Sequence, residues 1–83
     1  MTLGARIKRE RERHGWSQNE LGRRAKVRQA LLSELESGKK QDTPTSVLRR
    51  LARTLGVSMD YLAGLYDDDD ENAVSQSVIE AVA

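Results

Sequence analysis

The chain has 83 residues, 37% of them apolar, with 14 Lys and Arg against 13 Asp and Glu, one His and no Cys. That length holds one small domain with a modest core, and the absence of Phe makes the core aliphatic. Lack of cysteine excludes a disulfide framework and a thiolate metal site, and no apolar run is long enough for a membrane span or a signal-peptide core.

The hydrophobic pattern reads as helix after helix, with no alternating β-branched stretch to suggest a strand. Leu3, Ile7, Arg11 and His14 recur at i, i+4, i+8 and i+11, the inner stripe of a first helix that Gly15 ends. Ser17 and Glu20 have the spacing of a capping box, so a second helix starts there and turns Leu21 and Ala25 inward. Trp16, just before it, is a candidate plug between the first two helices. Val27, Leu31, Leu32 and Leu35 form the next stripe, closed by Gly38.

Lys39 to Asp42 is a polar loop, after which Thr43 and Pro44 read as the N-cap and first position of a fourth helix. Its inner face is Val47, Leu48, Leu51, Ala52 and Leu55, and Gly56 stops it. Ser58 caps a short fifth helix through Leu62, ended by Gly64. Four aspartates follow Tyr66. Beyond them Val74, Val78, Ile79 and Val82 share one face of a sixth, amphipathic helix, with Asp70 and Glu71 near its positive N-terminal end.

The net charge of +1 is a sum of unlike parts. Residues 1–66 carry all 14 basic residues and seven acids, a net +7, whereas residues 67–83 carry six acids and no base. A basic unit joined to an acidic segment is a frequent design among nucleic-acid binders. A solvated surface with an unrelated acidic end is the competing reading.

Only the residues around Lys26 and Val27 separate the second and third helices, too few for an antiparallel hairpin. A steep crossing is required, as in a helix-turn-helix, whose second helix enters the major groove. Ser17-Gln18, Leu21, Ala25, Val27, Leu32 to Glu36, Ser37-Gly38-Lys39, Pro44, Leu48, Leu51-Ala52, Leu55 to Ser58 and Tyr61-Leu62 extend the pattern. On these residues the chain resembles the Cro/Xre-type helix-turn-helix repressor family over about residues 3–65. The resemblance implies an all-α, lambda-repressor-like bundle of five helices in residues 1–66, to which the residue pattern adds an acidic linker and C-terminal helix in residues 67–83. It places a recognition helix at about residues 28–37. Two positions depart from the family pattern. Lys26 stands where Gly is usual, which predicts a strained and slightly reshaped turn. Arg28 stands where a capping Ser or Thr is common, so a cap is lost and a long cation is set at the mouth of the groove.

At about 100° per residue, Leu32, Leu35 and Glu36 face the domain, while Gln29, Ala30, Ser33, Glu34 and Ser37 lie opposite. Gln29 suits adenine N6/N7, Glu34 suits cytosine N4, and Ala30 suits a thymine methyl; Arg28 suits either guanine O6/N7 or a phosphate. For Ser33 and the others the alternative is exposure to solvent above the groove. Leu31, at the edge between the two faces, is assigned to packing. Candidate phosphate ligands are Gln18 at the start of the second helix, Lys39 and Lys40, and Thr43 and Thr45 at the start of the fourth. Arg23 reads as part of a solvated face. The family resemblance further implies that Gln18 bridges the DNA backbone and the recognition helix, and that Arg11 pairs with Glu36. An exposed, snorkelling Arg11 is the alternative.

One histidine, no cysteine, no phosphate-cradling glycine loop and no paired carboxylates speak against an enzyme, a metal site or a cofactor. The leading reading is a sequence-specific regulator of transcription that binds double-stranded DNA, a repressor in the prokaryotic cytosol or nucleoid, or phage-encoded. As the family usually does, it would act as a homodimer on a pseudo-palindromic operator. Half-sites would lie about 34 Å apart. Val74, Val78, Ile79 and Val82 offer a dimer surface, or they pack back on their own domain. The alternative reading is an antitoxin, or a restriction–modification controller, whose C-terminal tail binds a protein partner.

Overall fold

The computed structural model describes residues 1–65, which form α1 (Leu3–Arg13), α2 (Gln18–Ala25), α3 (Gln29–Ser37), α4 (Thr45–Leu55) and α5 (Met59–Leu62), with no strand among them. The predicted sixth helix, with Val74, Val78, Ile79 and Val82, lies outside the described residues. Hydroxyl side chains start three of the helices. Thr2 Oγ1 accepts from the Ala5 amide at 3.1 Å, Ser17 Oγ from Glu20 at 3.1 Å, and Ser58 Oγ from Tyr61 at 3.0 Å. Each satisfies an amide that the helix itself leaves without a partner. Gly38 ends α3 in the left-handed region at φ 85°, a conformation that costs glycine nothing.

The start of α4 differs from the expectation by one residue. Pro44, not Thr43, is the N-cap: its carbonyl accepts from Val47 and Leu48, both at 3.0 Å, while its own ψ of 147° is still extended. With that extended ψ Pro44 stands outside the helix, so the first helical position passes to Thr45 and the cap moves one residue on from Thr43. The Thr43 hydroxyl is buried and caps nothing among the described residues.

Ile7, Leu21, Leu32, Leu35, Leu51 and Leu62 are fully buried, joined by Ala25, Val27, Ala52 and Leu55. Burying each larger side chain stabilises the fold by about 1.5–3 kcal/mol. The core is aliphatic throughout, and every helix contributes to it. Against α3 pack both α1 and α2, while α4 packs on α1, α2 and α5.

Two inward expectations change. His14 is exposed at the end of α1 rather than in the stripe, its Nε2 lying 2.9 Å from the Leu55 carbonyl. Trp16 covers the edge of the core instead of plugging it. Its ring is half-buried, stacked on His14 at 4.1 Å and capped by the Arg24 guanidinium at 4.5 Å. The reason in both cases is position: each follows the last turn of α1, where the chain leaves the helix.

Two contacts were not anticipated. Gly4 sits inside α1 where a Cβ would fall 1.7 Å from the Leu35 carbonyl oxygen, so only glycine lets α1 lie this close to α3. On the other side of α1, Glu10 is buried and accepts from the Tyr61 hydroxyl at 3.0 Å. Arg9 donates to that same hydroxyl, and Arg13 pairs with Glu10 at 3.3 Å. These side chains clasp α5 onto α1.

Candidate nucleic-acid interface

The third helix is held from its inner side. Leu32 and Leu35 enter the core, and Glu36, one residue on, meets Arg11 of α1. The guanidinium grips the carboxylate with both arms, Nε to Oε2 at 2.9 Å and Nη2 to Oε1 at 2.8 Å. Its remaining arm donates to the Trp16 carbonyl at 2.7 Å. Gln18, the first residue of α2, donates from Nε2 to Glu36 Oε1 at 3.2 Å. The pair is nearly closed to solvent, with side-chain exposures of 12% for Arg11 and 4% for Glu36. Arg11 is therefore not a snorkelling surface residue.

The hydrogen bonds from Arg11 to Glu36 raise its pKa above the ordinary arginine value, against the opposing effect of burial. A cation whose folded pKa is raised contributes stability below its unfolded pKa and loses it only as pH climbs through the folded one. For an arginine that window lies in strong alkali. The guanidinium thus stays charged wherever the domain is folded.

From this anchored helix the opposite face projects outward. Gln29, Ala30 and Ser33 are exposed, Glu34 is half-buried, and Arg28 is exposed at the N-cap, where its side chain makes no capping bond. Leu31 packs against the core, as its place between the two faces requires. Ser37 is turned to local use: its hydroxyl donates to the Glu34 carbonyl at 3.1 Å and accepts from the Lys39 amide at 3.3 Å. Lys39 and Lys40 follow as exposed cations, and Thr45 is exposed in the first turn of α4.

Gln18, Ser33, Glu36 and Arg11 are brought together with Lys8 along one shallow groove of about 250 Å³. Lys8 was missed. Its position one helical turn before Arg11, on the exposed side of α1, is the signal that would have found it. A second concavity of about 400 Å³ brings Asn19, Arg23 and Lys26 beside Arg28 and Gln29. Arg23 and Arg24 both pair with Glu20, at 2.6 Å and 2.9 Å, so the two cations of α2 share one carboxylate.

The turn before α3 keeps the backbone of the motif in spite of the missing glycine. Lys26 adopts φ 58° and ψ 48°, the centre of the left-handed region, and the Val27 amide bonds the Gly22 carbonyl at 2.9 Å. The expected reshaping does not occur. Gly22 supplies the room, because a Cβ there would meet the Val27 carbonyl oxygen at 2.7 Å.

No group of three or more His, Asp or Glu side chains gathers as a metal site among the described residues, and no helix among them is long and apolar enough to cross a membrane.

Comparison with known proteins agrees with this geometry. The helix-turn-helix family profile matches residues 7–62, inside the stretch that carries the resemblance. The N-terminal DNA-binding domain of SinR from Bacillus subtilis superposes with a TM-score of 0.74 at 30% identity, covering 80% of this chain and 93% of that one. SinR, the master regulator for biofilm formation, in complex with DNA is similar at 31% identity and TM-score 0.72, covering 74% of this chain and 97% of that one. A chain of the SinR–SinI complex matches at 27% identity and TM-score 0.73, over 99% of this chain and 84% of that one. No curated protein matches the chain significantly.

Proposed function

The chain belongs to the helix-turn-helix family, and from that premise we propose that it is a sequence-specific, double-stranded-DNA-binding repressor of transcription, located in the cytosol, rather than an enzyme. One observation carries the reading. The inner face of α3 is locked by Leu32, Leu35 and the Arg11–Glu36–Gln18 network, while its outer face carries Arg28, Gln29, Ala30 and Ser33 into solvent. A helix that is rigidly backed and polar outward suits a major groove, where base edges offer donors and acceptors in fixed positions. The DNA-bound state of the SinR relative supports the same use of the fold.

In this reading Gln29 reads adenine, Arg28 and Glu34 address guanine or phosphate and cytosine, and Ala30 and Ser33 pack over neighbouring bases. Gln18, Lys39, Lys40 and Thr45 hold the phosphates. A homodimer places two such helices on a pseudo-palindrome, with residues 67–83 as the dimerising segment. One observation favours a second role for that segment. The match to the SinR–SinI complex spans almost the whole chain, which supports a protein partner for residues 67–83.

A salt titration of duplex binding tests the main reading. Affinity should fall steeply with salt, log against log, with a slope of about −0.9 for each phosphate contacted. Absence of duplex retention at low salt, or a flat response, would sink it. Deleting residues 67–83 should abolish dimers in light scattering if the valine face joins them, and an unchanged mass would remove that assignment.

A further inference from the structure

Lys26 is the one non-glycine residue with positive φ among the described residues; the other four positions are glycines. A side chain in the left-handed region is pressed toward its own carbonyl, a strain glycine does not have. Lys26 buries nothing in return, since its side chain is exposed and forms no ion pair with a described residue. The backbone turn serves the fold, but a strained side chain that makes no contact in return calls for a reason outside it.

The surroundings supply one. Lys26 and Arg28 form a ridge with a cleft of about 360 Å³ on its α4 side. Lys40 and Arg50 also line that cleft, and Leu31 and Val47 contribute apolar wall. Asp42 is the one carboxylate along it, so four cations leave an excess of positive charge. All four are exposed, and none is paired with a carboxylate among the described residues, whereas Arg11, Arg13, Arg23 and Arg24 all are. The two ends of the recognition helix are marked by Arg28 before it and Lys40 after it. A strand bordering a groove filled by α3 would pass on this side.

We propose that this cleft seats a backbone phosphate of the DNA, with Lys26 and Arg50 as ligands beside Arg28 and Lys40, and that the strained turn persists because glycine there would carry no ammonium. The proposal rests on the DNA-binding reading above. It adds α4 to the interface through Arg50 and gives the family departure at Lys26 a physical purpose: backbone strain exchanged for a phosphate contact.

The test uses the full chain and a short fluorescent duplex of mixed sequence, titrated from about 50 to 200 mM salt. Lys26→Gly should raise the melting temperature by about 4 °C or more, because strain is removed. The same variant should bind the duplex several-fold more weakly, with a salt slope shallower by about 0.9. Arg50→Gln should reproduce the binding defect with the melting temperature unchanged. Arg53→Gln, an exposed cation of α4 outside the cleft, should match the parent chain in slope and affinity. If Lys26→Gly is more stable yet binds like the parent, or if Arg50→Gln and Arg53→Gln lose affinity equally, the phosphate seat is overturned while DNA binding stands. If the parent chain itself retains no duplex, both fall together.

Discussion

The two faces of α3 differ in how much of the molecule depends on them. Inward, Leu32 and Leu35 are fully buried and Glu36 accepts from Arg11 and Gln18, so α1 and α2 both meet one side of a nine-residue segment. Outward, Gln29, Ala30 and Ser33 touch little, and even the N-cap position is taken by an arginine that caps nothing. The contrast teaches that the helix is positioned from behind. Its stability is supplied from its inner side, which leaves the outer residues free to be chosen for recognition. Substitutions on the two sides should therefore separate cleanly into stability effects and binding effects.

The sharpest break should come from Glu36→Ala. It strands the Arg11 guanidinium in a site that is almost closed, and losing one partner of such a pair costs about 3–5 kcal/mol. Denaturant unfolding measures this, and a loss below about 1 kcal/mol would mean the pair is solvated after all. Next is Gly4→Ala, which forces α1 away from the last turn of α3 because a methyl cannot overlap the Leu35 carbonyl. Overpacking of this kind costs about 1–3 kcal/mol, and an unchanged melting curve would show the approach is not tight.

The outer face should behave in the opposite sense. Arg28→Ser restores an N-cap and should stabilise the domain by about 1 kcal/mol while weakening duplex binding. A variant that is both stabler and binds as well would remove Arg28 from the interface. Smallest in stability is Gln29→Ala, expected within about 0.5 kcal/mol of the parent. Its effect belongs to selectivity, read by selecting bound fragments from random DNA: one position per half-site should relax. An unaltered consensus would show that Gln29 faces solvent above the groove.

Much of this contrast is legible in the residues themselves. The stripe of Leu32, Leu35 and Glu36 against Gln29, Ala30 and Ser33 follows from helical period alone, because side chains three and four apart share a face. The stops at Gly38 and Gly56 are equally local, since both take the left-handed conformation that ends a helix. Thr43 is the exception: a residue before proline suits an N-cap, and only the extended ψ of Pro44 puts the cap one residue further on.

Other features have no local signature. Arg6 and Glu10 are buried although charge marks them as surface residues, and Glu10 finds Tyr61 51 residues away. Gly4 carries only a partial local sign: a glycine inside a helix is unfavourable by about 1 kcal/mol relative to alanine, so it needs a packing reason. Lys26 is the opposite case. The residue type predicts an altered turn, yet packing holds it left-handed, because Gly22 and Val27 fit only if the chain reverses there.

By itself, then, the sequence determined what short-range physics can determine: five short helices, their glycine stops, the serine caps of α2 and α5, an aliphatic core, and which residues of α3 face out. The tertiary structure decided which charges pair. Arg11 reaches Glu36, Glu10 reaches Tyr61, and Lys26, Arg28, Lys40 and Arg50 find no carboxylate partner among the described residues around one cleft. Pairing depends on distances between segments far apart in the chain, and within a dry or half-dry site those distances set whether a charge is stabilising, costly or free to bind.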